Sequence, residues 1–456
     1  MHPNVSVAPN SKRRVSAPYK VTGVLIMSTL VAALGGMLFG FDTAVIAGTT
    51  HSLTAAFGLT PATLGITVSS ALWGTIVGAI LAGFAAERFG RRDSLRFTAA
   101  LYLLSALGCA FAVTWPLLLV SRIFGGLGIG ASSVLGPMYI AEVSPAHLRG
   151  RLVGCFQLNI VVGIMLAYLS NFLISLLRLG ATEWRWQFVT PALPSLLFLA
   201  LLFAIPRSPR WLVRRRRLEE ARHVLSMVGE LDANAALEQI VESVELENRQ
   251  SGEKLFSRKH RQAILLAIAI AGFCQLSGIN AVLYYLNDIF AATGANKFSD
   301  GLQTVIVGAT NLVFTLLAMC VIDKFGRRFL LLIGSIGLAL TLAGIAAIFR
   351  LQTHHNLLLW LLIGFCASFS ISLGPVIWVY ISEVFPNNVR GKGLSLGSLT
   401  HWVVNATISG FFPVFAARSA ALPFVFFALM MVLQFFVVLL FFPETKNVAL
   451  EDMLIH

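Results

Sequence analysis

Two charged residues stand where so apolar a chain can least accommodate them. Between Lys20 and Glu87 the sole Lys, Arg, Asp or Glu is Asp42, in the stretch LFGFDTAV. Between Arg96 and Glu142 it is Arg122, in VSRIFGG. A charge at the centre of a membrane-spanning helix costs about 2.5–3.5 kcal/mol on insertion scales, so an acid and a base in one half of the chain are best explained as partners. A buried carboxylate is also suited to binding and releasing a proton near neutral pH. The plainer alternative is an ion pair that never titrates.

A second set of charges recurs in duplicate. ERFGRR (87–92) reappears as DKFGRR (323–328), supplying Glu87, Arg88, Arg91 and Arg92 in one copy and Asp323, Arg327 and Arg328 in the other. GPMYIAEVSPAHLRGR (136–151) reappears as GPVIWVYISEVFPNNVRGK (374–392). In each the acid stands seven residues before an Arg-Gly: Glu142 and Arg149, Glu383 and Arg390. A carboxylate at a helix end and nearby arginines can pair at the cytoplasmic face, holding two halves together in one access state and parting in the other. Alternatively, these arginines only enforce topology.

The elements that must position these residues are membrane helices. The 456 residues are 57% hydrophobic and only 12% charged, with a mean hydropathy of +0.80; a water-soluble core of this length does not need so few charges. Apolar windows long enough to cross a bilayer recur twelve times, at roughly 21–48, 62–86, 94–114, 116–140, 152–176, 187–206, 262–291, 302–322, 327–349, 357–381, 393–416 and 421–442. Being continuously apolar rather than alternating, they read as helices and not as a barrel. The sequence therefore predicts an all-α polytopic membrane protein.

The polar stretch 207–261, with RRRR at 214–217 and the acidic ELDANAALEQIVESVELENRQ (230–250), divides the spans six and six. The expected organisation is a cytoplasmic tail (1–20), a six-helix domain (21–206), a cytoplasmic linker with short helices (207–261), a second six-helix domain (262–442) and a C-terminal tail (443–456). A duplicated six-helix unit is the signature of a transporter whose halves rock about a midplane site.

The net charge of +13 does not mark a nucleic-acid surface. With the N-terminus inside, cytoplasmic segments hold 28 of the 34 Lys and Arg, which is the positive-inside rule. The N-terminal segment MHPNVSVAPNSKRRVSAPYK lacks a cleavage site after a short apolar core and reads as a retained tail. Cys109, Cys155, Cys274, Cys320 and Cys366 all fall within spans, without metal or disulfide spacing. No paired His/Glu motif, nucleophile elbow or phosphate loop points to an enzyme. GGLGIG (125–130) lies inside a span, where glycines let helices pack closely.

Motif by motif, the chain resembles the sugar porter family of the major facilitator superfamily over essentially its whole length. The matching segments are GGMLFGFDTAVIAG in span 1, RIFGGLGIG in span 4, SPRWL after span 6, QLSGINAVLYY in span 7, GPVIW in span 10, HWVVN in span 11 and the terminal PETKNVALEDM. The bacterial proton-coupled symporters of xylose and related monosaccharides are the most similar type. The resemblance implies twelve transmembrane helices in a 6+6 pseudo-symmetric fold. It implies alternating access by a monomer in the cell membrane, both termini cytoplasmic, with a small neutral sugar and protons as partners and no cofactor or metal.

Residue by residue, the resemblance makes Asp42 the proton carrier and Arg122 its tuning partner. Gln157, Gln275, Asn280, Asn311 and Asn405 become sugar ligands, since amides both donate to and accept from hydroxyls. Gly278 between Gln275 and Asn280 allows that helix to unwind. Trp378 and Trp402, with Phe39 and Phe369 as weaker candidates, cover the apolar face of the sugar. Trp378 follows Gly374-Pro375, where a helix can bend. Tyr284 and Tyr285 match an external gate.

Three departures stand out. Cys274 replaces the first of two glutamines; His401 stands where an amide is common and is expected to join the substrate-binding set, either bonding a sugar hydroxyl or competing with Asp42 as the pH-sensitive group; and Arg207 replaces the acid of PESPR, rewiring the cytoplasmic charges. The competing readings are a sugar uniporter, a proton-driven exporter and a sugar sensor.

Overall fold

A computed structural model describes residues 19–145, 147–250, 255–293, 300–386 and 389–445. The chain is α-helical through these segments, in the twelve-span, 6+6 arrangement that the resemblance implies. Among the described residues, nine stretches are long and apolar enough to cross a membrane. The remaining three spans are Arg91–Ala110, whose first turn is charged, Glu183–Val189 with Ala192–Leu201, and the glycine- and serine-rich Arg390–Arg418. Large apolar side chains such as Phe84, Leu104, Leu193 and Leu440 stay exposed, forming the lipid-facing belt that a soluble protein would not tolerate.

Local chemistry sets the ends of the spans. Thr22 caps span 1 (Gly23–Val45) by accepting from the Leu25 amide. Thr60 and Thr63 form a capping box before span 2 (Pro61–Phe89), with Pro61 in the first turn. The duplicated FGRR motif makes the same turn twice. Gly90 (φ 88°, ψ 159°) and Gly326 (φ 87°, ψ 156°) each end one helix, and the next begins at Arg91 or Arg327. GGLGIG packs span 4 (Trp115–Val143) directly on span 2: a Cβ on Gly126 or Gly130 would overlap the carbonyl oxygens of Ala71 or Thr75.

Three of the expected continuous spans are broken. Span 6 is interrupted at Thr190–Pro191. Span 7 divides into Arg261–Leu276, Ile279–Tyr284 and Leu286–Ala291. Its first break is Gly278 at φ 80°, and a Cβ there would enter the Phe427 ring, so glycine is required, as the motif suggested. Span 10 breaks between Leu358–Ile371 and Leu373–Val384, at Ser372 (φ −110°, ψ −93°). The bend thus precedes Gly374-Pro375; Pro375 sits in the first turn of the second segment, where its missing N–H is not needed.

The two halves meet along two pairs of spans, 2 with 11 and 5 (Arg149–Leu176) with 8 (Asp300–Phe325). Linker helices Pro209–Arg214, Leu218–Val228 and Ala233–Gln250 gather on one face, called the linker face below. The chain enters span 1 from that face, where the Lys20 amide donates to the Gly229 carbonyl at 2.9 Å and the Thr22 hydroxyl to that of Met227 at 2.9 Å.

Candidate substrate and proton site

Asp42 lies in the last turns of span 1 and Arg122 in span 4, and both are buried. One guanidinium nitrogen, Nη1, stands 3.4 Å from Asp42 Oδ2 and 3.4 Å from the Asp42 carbonyl oxygen. Arg122 Nε has no hydrogen-bond partner among the described residues, and the guanidinium carbon is 5.9 Å from the Phe188 ring centre. The contact is long for a charge-assisted bond, which settles near 2.7–2.9 Å. Gly125 makes room for the acid, since a Cβ there would lie 3.0 Å from Asp42 Oδ2.

Most of the expected sugar ligands in the C-terminal half form one connected group. Asn280 Nδ2 donates to Gln275 Oε1 at 3.0 Å, across the Gly278 break. Gln275 Nε2 lies 2.8 Å and 3.2 Å from the two ring nitrogens of His401. His401 sits between two indoles, with ring centres 5.3 Å from Trp378 and 5.2 Å from Trp402. Phe39, from the opposite half, reaches Trp402 at 5.7 Å and so shares this aromatic wall. Asn405 donates to the Tyr284 hydroxyl at 3.2 Å and accepts from Ser409 at 3.0 Å.

Other candidates stand apart. Asn311 accepts from Ser370 at 2.8 Å and makes no hydrogen bond to the cluster. Gln157 is exposed on span 5, with no hydrogen-bond partner among the described residues. Cys274 is buried beside Gln275. Tyr285 turns away from the cluster, donating to the Ser409 carbonyl at 3.0 Å and stacking on Phe412. The paired tyrosines therefore face different surroundings.

On the linker face, each acid that precedes an Arg-Gly pairs with an arginine of FGRR instead. Arg91 meets Glu142 at 2.7 Å, and Arg327 meets Glu383 at 2.9 Å. Arg149 pairs with no acid among the described residues, while Arg390 Nε lies 3.5 Å from the Phe385 carbonyl. Both ion pairs join helices of the same half, so in this conformer neither ties the halves together.

The surrounding residues extend each cluster. Arg92 reaches Asp93 and the Ile205 carbonyl; Arg88 lies over Phe89; Glu87, largely exposed, is 3.6 Å from Arg214. Arg207 joins the Asp93 cluster at 3.1 Å, the rewiring its position implied. Arg328 donates from its side chain to Leu439 and from its backbone to Glu444. The Asp323 side chain lies outside the described residues.

Sequence reasoning missed several partners. Asp93 follows FGRR directly, so the motif itself contained the signal. Glu444 and Thr445 lie within a quoted motif; Glu444 accepts the Arg327 and Arg328 amides at 3.0 and 3.1 Å, and Thr445 donates to Glu383 at 2.6 Å. Ser370, Ser409 and Tyr168 carried no local signal at all.

A family model described as "Sugar (and other) transporter" matches residues 28–455. The chain belongs to this family. The D-xylose-proton symporter of Escherichia coli (strain K12) is 37% identical to this sugar porter, over 93% of its chain and 94% of the relative. The arabinose-proton symporter of Bacillus subtilis (strain 168) is 36% identical over 94% of both. Among solved structures, the inward-open xylose transporter of E. coli superposes with a TM-score of 0.84 at 36% identity, covering 94% of this chain and 99% of the other. The same type of transporter bound to 6-bromo-6-deoxy-D-glucose superposes at 0.76. The sugar porter thus superposes better on the inward-open structure than on the ligand-bound one.

Proposed function

We propose that this sugar porter is a proton-coupled monosaccharide symporter working by alternating access, as a monomer in the cell membrane with tail and linker cytoplasmic. The linker face is then the cytoplasmic face and the opposite face the external one. The six-helix domains are 21–206 and 262–442. The activity is transport, with a pentose or hexose and a proton as cargo.

The single observation that carries the coupling is the buried, loosely held Asp42–Arg122 pair in a sugar porter. A neutral sugar requires neither charge, whereas a proton taken by Asp42 cancels its attraction for Arg122 and so links proton binding to the contacts of that guanidinium. Asp42 takes a proton from outside, which weakens its hold on Arg122. Gln157, Gln275, Asn280, Asn311 and Asn405 bond the hydroxyls, while Trp378, Trp402 and Phe39 cover the carbon face. The halves then rock, and sugar and proton leave on the linker face.

The test is uptake of a labelled monosaccharide panel into proteoliposomes, with and without an inward proton gradient. Accumulation above equilibrium is expected only with the gradient. Asp42→Asn is expected to abolish accumulation while sparing exchange. Full accumulation in that variant would remove the coupling assignment, and indifference to the gradient would make the protein a uniporter.

A further inference from the structure

The face opposite the linker carries a contact between halves that neither the sugar cluster nor the Asp42–Arg122 pair uses. Asp288, on the short helix Leu286–Ala291, receives the Thr50 hydroxyl on Oδ1 at 2.9 Å. Thr50 belongs to the N-terminal half, on the short helix Thr50–Phe57 that follows span 1. The other carboxyl oxygen of Asp288, Oδ2, is buried without a donor among the described residues. A second bond closes the same seam, from the Tyr168 hydroxyl to the Leu283 carbonyl at 2.8 Å.

We propose that Asp288 is a second proton-binding site, a latch whose protonation favours closure of the external face, sensing the external proton without carrying it. This rests on the symporter reading for the direction of the face. The physical reason is a count of donors. In water an ionised carboxylate satisfies about four lone-pair sites; in the closed seam it has one donor, Thr50. Neutralisation removes the need for the missing donors, whereas an ionised oxygen buried without one is penalised. Opening the seam parts Asp288 from Thr50 and admits water, so the ionised form favours the open state.

Few charges offset this. The titratable groups facing Asp288 from neighbouring elements are His51 on the Thr50 helix and Tyr285 before its own helix, with Asp300 opening span 8, the span packed against it. His51 is exposed, so its charge is screened by water and salt. Lys297 lies outside the described residues. By linkage, one such site changes the closed-to-open ratio by at most about tenfold per pH unit.

The experiment follows the external face directly, in the full chain in lipid nanodiscs without sugar. Spin labels at Ala181 and Thr353, exposed on opposite halves of that face, report its opening, with Cys155 and Cys320 replaced by serine. The closed population is expected to fall as pH rises. Asp288→Asn should stay closed and lose the slope, Thr50→Val should open more than the parent at high pH and still close as pH falls, and Asp288→Glu, which still titrates, should retain a slope. All are made in an Asp42→Asn background, so that the central acid does not titrate. In that background, a normal slope in Asp288→Asn, or no slope while Asp288 is intact, overturns the proposal. Since no transport is measured, a failed symport assay leaves this result intact.

Discussion

Asp42 and Arg122 meet at 3.4 Å, whereas Arg91–Glu142 and Arg327–Glu383 close to 2.7 and 2.9 Å. The pairs at the linker face have the geometry of fixed charge-assisted bonds, and the central pair has that of an acid free to exchange its partner for a proton. The same contrast runs through the sugar ligands. Gln275 is bonded on both ends of its amide, while Cys274 beside it brings a weakly bonding thiol to a position where the family has a second amide. Cys274→Gln should therefore add one hydrogen bond to whichever hydroxyl faces it, worth about 0.5–1.5 kcal/mol, and reorder a panel of competing pentoses and hexoses roughly threefold to tenfold. An unchanged competition profile would show that this position does not set selectivity. Asp42, Arg122 and the amide cluster were legible in the sequence because a polar group inside an apolar span is conspicuous. Ser370 and Ser409, which orient two of those amides, were not, because a serine in a glycine-rich span has many unremarkable uses.

Single breaks and caps decide where the helices place these groups. Gly278 holds φ 80° between the two segments that carry Gln275 and Asn280, and its missing Cβ leaves space for Phe427. Gly278→Ala should cost about 1–2 kcal/mol for the left-handed backbone alone. It must also displace Phe427, so sugar affinity should fall together with the thermal midpoint; a loss of midpoint with affinity intact would separate the break from the site. At the other end of the C-terminal half, Glu444 accepts two backbone amides opening span 9. Removing such a cap costs about 1 kcal/mol, so Glu444→Ala should lower the midpoint by a few degrees, with Glu444→Gln losing less. Equal midpoints for wild type and Glu444→Ala would mean that the first turn is held by its packing. The glycine break could be read from the motif because glycine is the residue that such a backbone admits. The cap could not, since its partners lie 117 and 116 residues apart in sequence and only the folded half brings them together.

The whole molecule adds what neither residues nor elements contain, a choice of which face is closed. Tyr168 to Leu283, Thr50 to Asp288 and Phe39 against Trp402 all join the halves at or beyond the midplane from the linker, while the ion pairs of the linker face stay within each half. Sequence patterns revealed the duplication and its charged turns, but one sequence serves both access states, so the partner of a gate residue depends on the state. This explains why Glu142 and Glu383 could be picked out as the acids of the charged turns while the partners they take here could not. The closed seam also has a backbone-level contact: a Cβ on Gly65 in span 2 would overlap the Gly410 carbonyl oxygen in span 11. Backbone cannot move aside as a flexible side chain can, so Gly65→Leu should exclude this closed conformer and leave the external face open. Sugar should still bind from outside, because the ligands lie deeper in the C-terminal half, whereas uptake and exchange should both be lost. Equilibrium binding, tracer uptake and the Ala181–Thr353 distance, measured on one preparation, check the three parts together. Uptake at the wild-type rate would show that closure of this seam is not a required step.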